Sequence, residues 1–363
     1  MLESGQILVT CSGTVGKATL AYAPLERTLI SHDLLRITPL KAADWGWIYA
    51  YLKSSQAKAM MGSAQYGHII KHLEPEHLLA IPIPDVPKAE KARFAEAAEN
   101  ILRRRNEAWR LQIESESLFA GSIGPVGSTA EQYTGFEVKA SELLLGRRRL
   151  EGAYHSPAAT AILKRFAAAN LKTEPLSAVT KGVWWGARFK RVFGDEGAPY
   201  LSADELFSVN PPITKRVMLE QAEKPERFFV KEGWLVMACS GQTYGLNGSV
   251  ALMTKWHEEA FLSHDLVRIV PNTDRILPGY LYTALGHPHL GRPLVIRNAY
   301  GTSIPHLEPA DIATTRIVRL EPDMETQIAN SAEKAVLLRT EADRLEDSLA
   351  ASATALVGKY LSG

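Results

Sequence analysis

An internal repeat constrains this chain more than any other feature of its sequence. The segment Gly5–Gly13 recurs as Gly233–Gly241, with apolar residues, a cysteine and a serine at matching places. Three shorter matches follow in the same order: Ser31-His32-Asp33-Leu34 with Ser263-His264-Asp265-Leu266, Tyr66-Gly67 with Tyr300-Gly301, and His72-Leu73-Glu74-Pro75 with His306-Leu307-Glu308-Pro309. The offset rises only from 228 to 234 residues, so the chain contains two copies of one module that differ by a few loop insertions.

Each copy is followed by a stretch with a helical heptad pattern. Apolar and small residues recur every seven positions: Phe94, Ile101, Ala108 and Ser115 in the first stretch, and Ile328, Ala335, Ala342 and Leu349 in the second. Heptad stripes bordered by charged residues predict long helices that pair with each other or with a partner helix. Small residues in both stripes suit closely packed antiparallel helices.

The predicted fold class is α+β, with two modules of mixed α/β structure alternating with two long antiparallel helices. We place the first module at 1–87, its helix at 88–120, a linker at 121–146, the second module at 147–321 and the second helix at 322–363. Residues 147–228 have no counterpart in the first half, so the first module is expected to be truncated at its N-terminal side.

Short apolar runs predict the elements inside the modules. We expect strands at 6–11 and 234–239, followed by glycine-containing turns, and further strands at 34–37 and 266–270. Residues 47–54 and 278–285 are expected to form short helices.

The composition is that of an ordinary globular protein, with 46% hydrophobic and 22% charged residues. Two cysteines are too few for a disulfide framework, and neither a membrane-length apolar run nor a signal-peptide pattern is present. We therefore expect a cytoplasmic protein with no membrane partner. The net charge of +1 leaves DNA binding open, because DNA affinity depends on basic groups clustered on one face.

One stretch of the second module has the composition of a DNA contact. Between Lys181 and Arg191 the chain carries two tryptophans and four basic residues with no acid: Lys181, Arg188, Lys190 and Arg191. The alternative interpretation is a solvated hairpin with both tryptophans in the core. Polar loops supply the other candidate DNA-binding residues: Gln242, Thr243, Tyr244, Arg297, Asn298, Tyr300 and Thr302 in the second module, and Thr14, Lys17, Gln65, Tyr66 and His68 in the first.

Three motifs bear on catalysis. Residues 12–17 lack the spacing of a phosphate-binding loop, and 210–213 resembles a methyltransferase motif but has Ile213 where an aromatic residue must stack the base. The repeated His32-Asp33 and His264-Asp265 pairs, with His72 and His306, suit either a metal or catalytic site or structural hydrogen bonds at the module corners. We expect no catalytic residue, no metal and no cofactor in this chain.

The repeated motifs resemble the specificity (S) subunit of type I restriction-modification systems. The segments that carry the resemblance are 5–17, 66–73 and 79–84, and the repeat with its two helices extends it over nearly the whole chain. The resemblance implies two target-recognition domains, each reading half of a bipartite double-stranded DNA site, separated by a helical spacer. It also implies docking of methyltransferase (M) subunits that bind S-adenosylmethionine. A restriction (R) subunit and self-association are left open as further partners.

Two other functions remain open from the sequence. One is a self-sufficient DNA methyltransferase or nuclease, which the lack of a complete cofactor loop and of a nuclease-like acidic cluster disfavours. The other is a coiled-coil interaction module that does not read DNA. Sequence-selective, salt-sensitive binding to duplex DNA distinguishes a specificity subunit from a coiled-coil interaction module.

Overall fold

A computed structural model of the chain describes residues 1–65, 72–126, 135–144, 148–211 and 213–362. The elements up to the first long helix are strands β1 Ile7–Thr10, β2 Ala18–Leu20 and β3 Leu34–Ile37, and helices α1 Trp45–Leu52, α2 Ser55–Ala64, α3 Pro75–Leu79 and α4 Lys88–Ile123.

The rest of the described chain continues with more strands and short helices and ends in the second long helix. In chain order they are α5 Ala140–Leu143, α6 Pro157–Ala168, β4 Thr173–Pro175, α7 Leu176–Val179, β5 Thr180–Trp185, β6 Phe193–Leu201, α8 Ala203–Leu206, β7 Lys215–Val217, β8 Leu235–Ala238, β9 Val250–Leu252, β10 Phe261–Leu262, β11 Leu266–Pro271, α9 Pro278–Gly286, α10 Arg292–Ile296, α11 Pro309–Ile312, β12 Arg316–Val318 and α12 Pro322–Ser362. Short 3₁₀ helices lie at Ala23–Leu25, Ala42–Asp44, Gly152–His155, Leu219–Gln221, Pro225–Phe228 and Lys255–His257.

The chain forms two compact units, and both long helices contribute to each. Unit 1 comprises Met1–Arg110 and the chain from Leu337 onward, and unit 2 comprises Leu111–Val336. The N-terminal part of α4 therefore shares unit 1 with the C-terminal part of α12, as antiparallel helices require. The mixed helix and strand content and the two long helices confirm the predicted fold class. The predicted division of the chain into domains stays a prediction.

Unit 1 is built on a three-stranded antiparallel sheet of order β2-β1-β3, in which Ile7 pairs with Leu20 and Ile37. Helix α1 packs tightly against α4 at Gly46, where a Cβ atom would lie 2.3 Å from the Cα of Ala95. The Trp47 ring contacts Phe94 at 5.1 Å between ring centroids. The N–H of the same indole donates to the Pro84 carbonyl at 2.8 Å, so the ring is buried without an unpaired donor.

The described residues of unit 2 form three sheets. The largest is a four-stranded antiparallel sheet of order β5-β11-β8-β9, and the second, of order β10-β6-β7, has one parallel and one antiparallel pair. The third is the pair β12-β4. Strands β5 and β6 lie in different sheets, so residues 181–191 do not form the hairpin that was one interpretation of that stretch.

The repeat is visible in the pairing of the strands. Ile7 of β1 pairs with residues of β2 and β3, and Leu235 of β8 pairs with the corresponding residues of β9 and β11. The hydrogen bonds around these strands repeat as well: Gly5 N–Ala21 O with Gly233 N–Met253 O (2.8 and 3.0 Å), Cys11 N–Asp33 O with Cys239 N–Asp265 O (2.8 and 3.0 Å), and Leu73 N–Cys11 O with Leu307 N–Cys239 O (both 2.9 Å). Two stretches of different sequence thus form the same backbone scaffold.

The heptad stripes face the interior, as predicted. All eight stripe residues are buried: Phe94, Ile101, Ala108 and Ser115 on α4, and Ile328, Ala335, Ala342 and Leu349 on α12. In unit 1 the stripes flank a buried ionic cluster, in which the Glu346 carboxylate lies 2.5 Å from Lys53 Nζ and also accepts from Arg105 and Tyr49. Burial by itself would raise the pKa of Glu346, but Lys53 and Arg105 outweigh burial and lower it.

Candidate nucleic-acid interface

The basic stretch at 181–191 lies on the surface of unit 2. Its first half is β5, which is held by pairing with β11, and its second half is an irregular segment that leads to β6. The four basic residues predicted to contact DNA are all exposed: Lys181, Arg188, Lys190 and Arg191. Trp184 packs edge-on against Trp234 at 5.4 Å, whereas Trp185 keeps 36% of its surface exposed. One tryptophan therefore anchors the stretch, and the other is presented to solvent.

The turn between β8 and β9 carries the second group of candidates. Arg292 holds this turn, since its Nη2 lies 2.6–2.9 Å from the carbonyl oxygens of Thr243, Gly245 and Asn247. Gln242 donates to the Ser303 carbonyl at 2.7 Å. The backbone of the turn is thus fixed from inside, while the Tyr244 side chain is 86% exposed at its tip.

The third group of candidates, at 297–302, contains two side chains that contact the interior of the unit and two that are exposed. Arg297 donates to the Tyr154 carbonyl at 2.8 Å and its guanidinium lies 4.4 Å from the centre of the Tyr154 ring. Asn298 is buried and donates to the Leu294 carbonyl at 3.2 Å. These two side chains are engaged within the unit, whereas Tyr300 and Thr302 are exposed.

In the first module the candidates are fewer. Thr14 is exposed, and Lys17 and Gln65 are half-buried. Tyr66 and His68 lie outside the described residues.

A hydrogen-bonded corner joins the repeated motifs in the second module. Ser240 Oγ lies 2.8 Å from His306 Nδ1 and 3.2 Å from an Asp265 carboxylate oxygen, and Ser263 donates to the other Asp265 oxygen. Burial lowers the pKa of the neighbouring His264 imidazole, and Asp265 opposes that effect only in part. Burial also raises the pKa of the Cys239 thiol to about 12, so this sulfur is a protonated thiol at neutral pH.

The same corner exists in the first module with a different exposure. Ser31 donates to Asp33 at 3.0 Å, and Ser12 and His72 form the isolated β-bridge that Ser240 and His306 form in the second module. Hydrogen bonding from Ser31 and Ser12 lowers the pKa of Asp33. Within the described ranges, no group of three or more His, Cys, Asp or Glu side chains is placed to hold a metal ion.

A cavity of about 220 Å³ opens beside the corner of unit 2. Its lining combines the basic stretch, the corner and the third loop: Trp185, Gly186, Ala187, Arg188, Cys239, Ser240, His264, Asp265, Tyr300 and His306. The sequence did not predict this cavity, although its lining includes His264 and Asp265 of the repeated Ser-His-Asp motif. Nor did it predict the role of Arg292, because no local pattern shows which carbonyls a distant guanidinium will reach.

Within the repeated segments, one loop differs in length between the two modules. Gly16 N and Gly248 N each donate at 2.8 Å to equivalent carbonyls, and both residues have φ near +80°, so they correspond. Thr14 and Val15 separate Gly13 from Gly16, whereas 242–247 separate Gly241 from Gly248. The second module therefore inserts four more residues at the place where it presents Tyr244.

Comparison with known proteins gives one consistent result at the level of solved structures. No family model matches the chain, and no curated protein matches it. The chain is similar to the S subunit of a type I restriction-modification system from M. genitalium, with 13% identity, 98% of this chain and 81% of that chain covered, and a TM-score of 0.34. It is also similar to the HsdS subunit from Thermoanaerobacter tengcongensis, with 14% identity, coverages of 99% and 80% and a TM-score of 0.33.

A third similar chain belongs to a type I restriction-modification system described for its complex assembly and conformational transition, with 13% identity, coverages of 99% and 82% and a TM-score of 0.34. These proteins are of the family that the repeated motifs resemble. In the part of the chain that the structure describes, no helix is both long and apolar enough to cross a membrane.

Proposed function

We propose that this chain is the non-catalytic specificity subunit of a type I restriction-modification system. In this proposal it reads a bipartite site in double-stranded DNA and holds the adenine methyltransferase subunits. The observation that carries the proposal is the duplicated scaffold: two copies share strand pairing and backbone hydrogen bonds but differ in the polar turn that leaves the scaffold at one place.

A constant scaffold with different loops is what two reading heads for two different half-sites require. Major-groove edges distinguish all four base pairs, and polar side chains on loops can contact them. In the second module the exposed basic residues after β5 supply sequence-independent attraction to phosphates, which positions the loops. Two heads on a spacer of defined length also set the number of unread base pairs between the half-sites.

The long helices suit the scaffolding role. Their heptad stripes are buried, so their charged faces remain for contact with methyltransferase subunits. Flipping of the target adenine and methyl transfer from S-adenosylmethionine belong to those partners in this proposal. An R subunit and a second copy of this chain are further partners in this proposal.

The decisive experiment is selection of duplexes from a random-sequence library by the full chain, assembled with its methyltransferase partner. We expect enrichment of two short sequence blocks separated by a constant number of random base pairs. Enrichment of no sequence, or of a single block, would contradict bipartite reading. Methyl transfer from labelled S-adenosylmethionine by the purified chain alone would replace the proposal with a self-sufficient methyltransferase.

A further inference from the structure

The cavity beside the corner of unit 2 is a recess and not a projecting surface. Groove reading uses side chains that project from the surface, as Tyr244 does, whereas the cavity is a recess between the basic stretch and the third loop. Its volume of about 220 Å³ lies below the range of roughly 300–1,000 Å³ that drug-sized ligands occupy. A ligand of one or two rings fits that volume.

The lining has three chemical parts. Trp185 and Tyr300 supply aromatic surface, and Arg188 supplies a guanidinium. Asp265, Ser240 and His306 supply hydrogen-bonding groups on the wall formed by the repeated motifs. The Asp265 carboxylate accepts from two serine hydroxyls and keeps about a third of its side chain exposed, so it retains acceptor capacity for a ligand.

We propose that this cavity binds a single nucleotide, with the base inside and its phosphate against Arg188. The inference rests on the proposed function where the nucleotide belongs to bound DNA. Aromatic surface stacks on a base whatever its identity, and a carboxylate accepts from the amino group of adenine, cytosine or guanine. Arginine is the side chain best suited to a phosphate, and a base displaced from a duplex is held by this combination of stacking and edge hydrogen bonds.

The lining joins two parts of the second module. Trp185 and Arg188 come from the stretch 147–228, and the other wall comes from the corner. The corner differs between the modules, since the His32 side chain is 94% exposed and that of His264 only 15%. The corner of the second module is therefore the more enclosed of the two.

The first test is calorimetric titration of the full chain with dAMP, dCMP, dGMP and TMP, and with inorganic phosphate and deoxyribose 5-phosphate as probes without a base. We expect the mononucleotides with an amino group to bind and the base-free probes to bind at least tenfold more weakly. Trp185→Ala and Arg188→Ala should each weaken mononucleotide binding at least tenfold. Both side chains are partly or fully exposed, so neither variant removes core packing.

Arg216→Ala is the matched control, because it removes an exposed guanidinium of β7 that does not line the cavity. We expect less than a twofold effect on mononucleotide binding. Equal losses in Arg216→Ala and Arg188→Ala would overturn the assignment of the phosphate to Arg188. Failure of every mononucleotide to bind, together with the absence of a duplex signal described next, would overturn the site.

The second test identifies the source of the nucleotide. 2-Aminopurine is placed at each position of a selected duplex in turn, and a fluorescence change that is absent with Trp185→Ala would show a nucleotide of bound DNA in the cavity. Mononucleotide binding without that change would show a free nucleotide as ligand. If the chain selects duplex DNA but neither test gives a signal, this inference fails and the proposed function stands. If nucleotides bind and no duplex is selected, the proposed function fails.

Discussion

At the scale of single residues, the two copies of the module differ most in what they bury. Arg268 of β11 has no exposed surface and donates to the carbonyl oxygens of Ser263, Leu266, Phe228 and Leu262 at 2.5–3.0 Å. Burial lowers the pKa of this guanidinium to about 9, which still leaves it charged at neutral pH. Arg36 holds the equivalent position in β3 and is exposed. The same residue at the same register position is a structural anchor in one module and a surface residue in the other.

This contrast predicts that the same substitution lowers the free energy of unfolding by different amounts at the two positions. Arg268→Met should lower the free energy of unfolding by about 3–5 kcal/mol, because four buried carbonyls lose their donor. Arg36→Met is the matched control and should change it by less than about 0.5 kcal/mol. Urea unfolding of the two variants measures both values. Equal effects would show that burial at Arg268 is not the cause.

At the scale of elements, the basic stretch after β5 has the exposure that phosphate contacts need, while its strand is fixed in the sheet. Each phosphate contact contributes about −0.9 to the slope of log affinity against log salt. The double variant Lys190→Ala/Arg191→Ala should therefore weaken DNA binding for all sequences and flatten this slope by about 2. Arg191 contacts the Tyr200 hydroxyl at 3.4 Å only weakly, so stability should be retained.

A control with the same loss of charge uses two exposed lysines of α12. Lys334→Ala/Lys359→Ala should leave the slope for DNA binding by the chain unchanged. An unchanged slope in Lys190→Ala/Arg191→Ala, measured by fluorescence anisotropy over a range of salt concentrations, would reject the assignment of this stretch to phosphates.

Packing of the long helices predicts that a charged substitution in the buried stripe destabilises the fold. Ala342 lies in the buried stripe of α12 with no exposed surface, whereas Ala355 of the same helix is exposed. Ala342→Glu forces a carboxylate into a packed interface, and we expect a loss of about 3 kcal/mol or more in unfolding free energy. Ala355→Glu has the same helix propensity change and should cost less than about 1 kcal/mol. Equal denaturation curves for the two variants would argue against helix pairing.

At the scale of the whole molecule, buried titratable groups set the response to acid. Burial lowers the pKa values of His257 and His287 to about 4, so the unfolded chain binds more protons than the folded chain between about pH 6.5 and 4. Their contribution to stability is complete above pH 6.5 and is lost as the pH falls. Burial raises the pKa of Asp343 to about 6, which has the opposite sign because the folded state then binds the extra proton.

On acidification the two histidines destabilise the folded state and the one carboxyl stabilises it. The effect of the histidines is the larger, so the melting temperature should fall from pH 7 to pH 4.5. His257→Asn keeps an acceptor for the Thr254 N–H, which lies 3.1 Å from Nδ1, and removes the titration. It should reduce the acid-induced loss by up to about 3 kcal/mol. Calorimetry at several pH values measures this, with the exposed His32→Asn as control. The same reduction in both variants would show that burial of His257 is not responsible.

Much of the architecture was readable from the sequence for a physical reason. Heptad spacing and strand alternation are local consequences of helix and strand geometry, so the stripes at Phe94 and Ile328 and the strand at 34–37 follow from neighbouring residues. The repeat added long-range information, since two copies of one pattern must solve the same packing problem. The division of the chain into domains, with the first helix at 88–120, stays a prediction, and α4 itself spans Lys88–Ile123.

The candidate site depended on contacts that no local pattern encodes. Arg297 and Asn298 look like surface residues of a polar loop in the sequence, yet in the structure they are engaged with Tyr154 and Leu294. The stretch 181–191 was compatible with a hairpin, and pairing of β5 with β11 decided otherwise. Long-range pairing determines which polar groups remain for a ligand.

The sequence by itself determined that this chain has two like modules, two long helices and a concentration of basic residues in the second module, because periodicity, repetition and charge are properties of residue order. The tertiary structure alone decided that Arg268 is buried while Arg36 is exposed, that Arg292 fixes the turn carrying Tyr244, and that Trp185, Arg188 and Asp265 line one cavity. These outcomes depend on which segments meet in space, and burial and hydrogen bonding are decided only there.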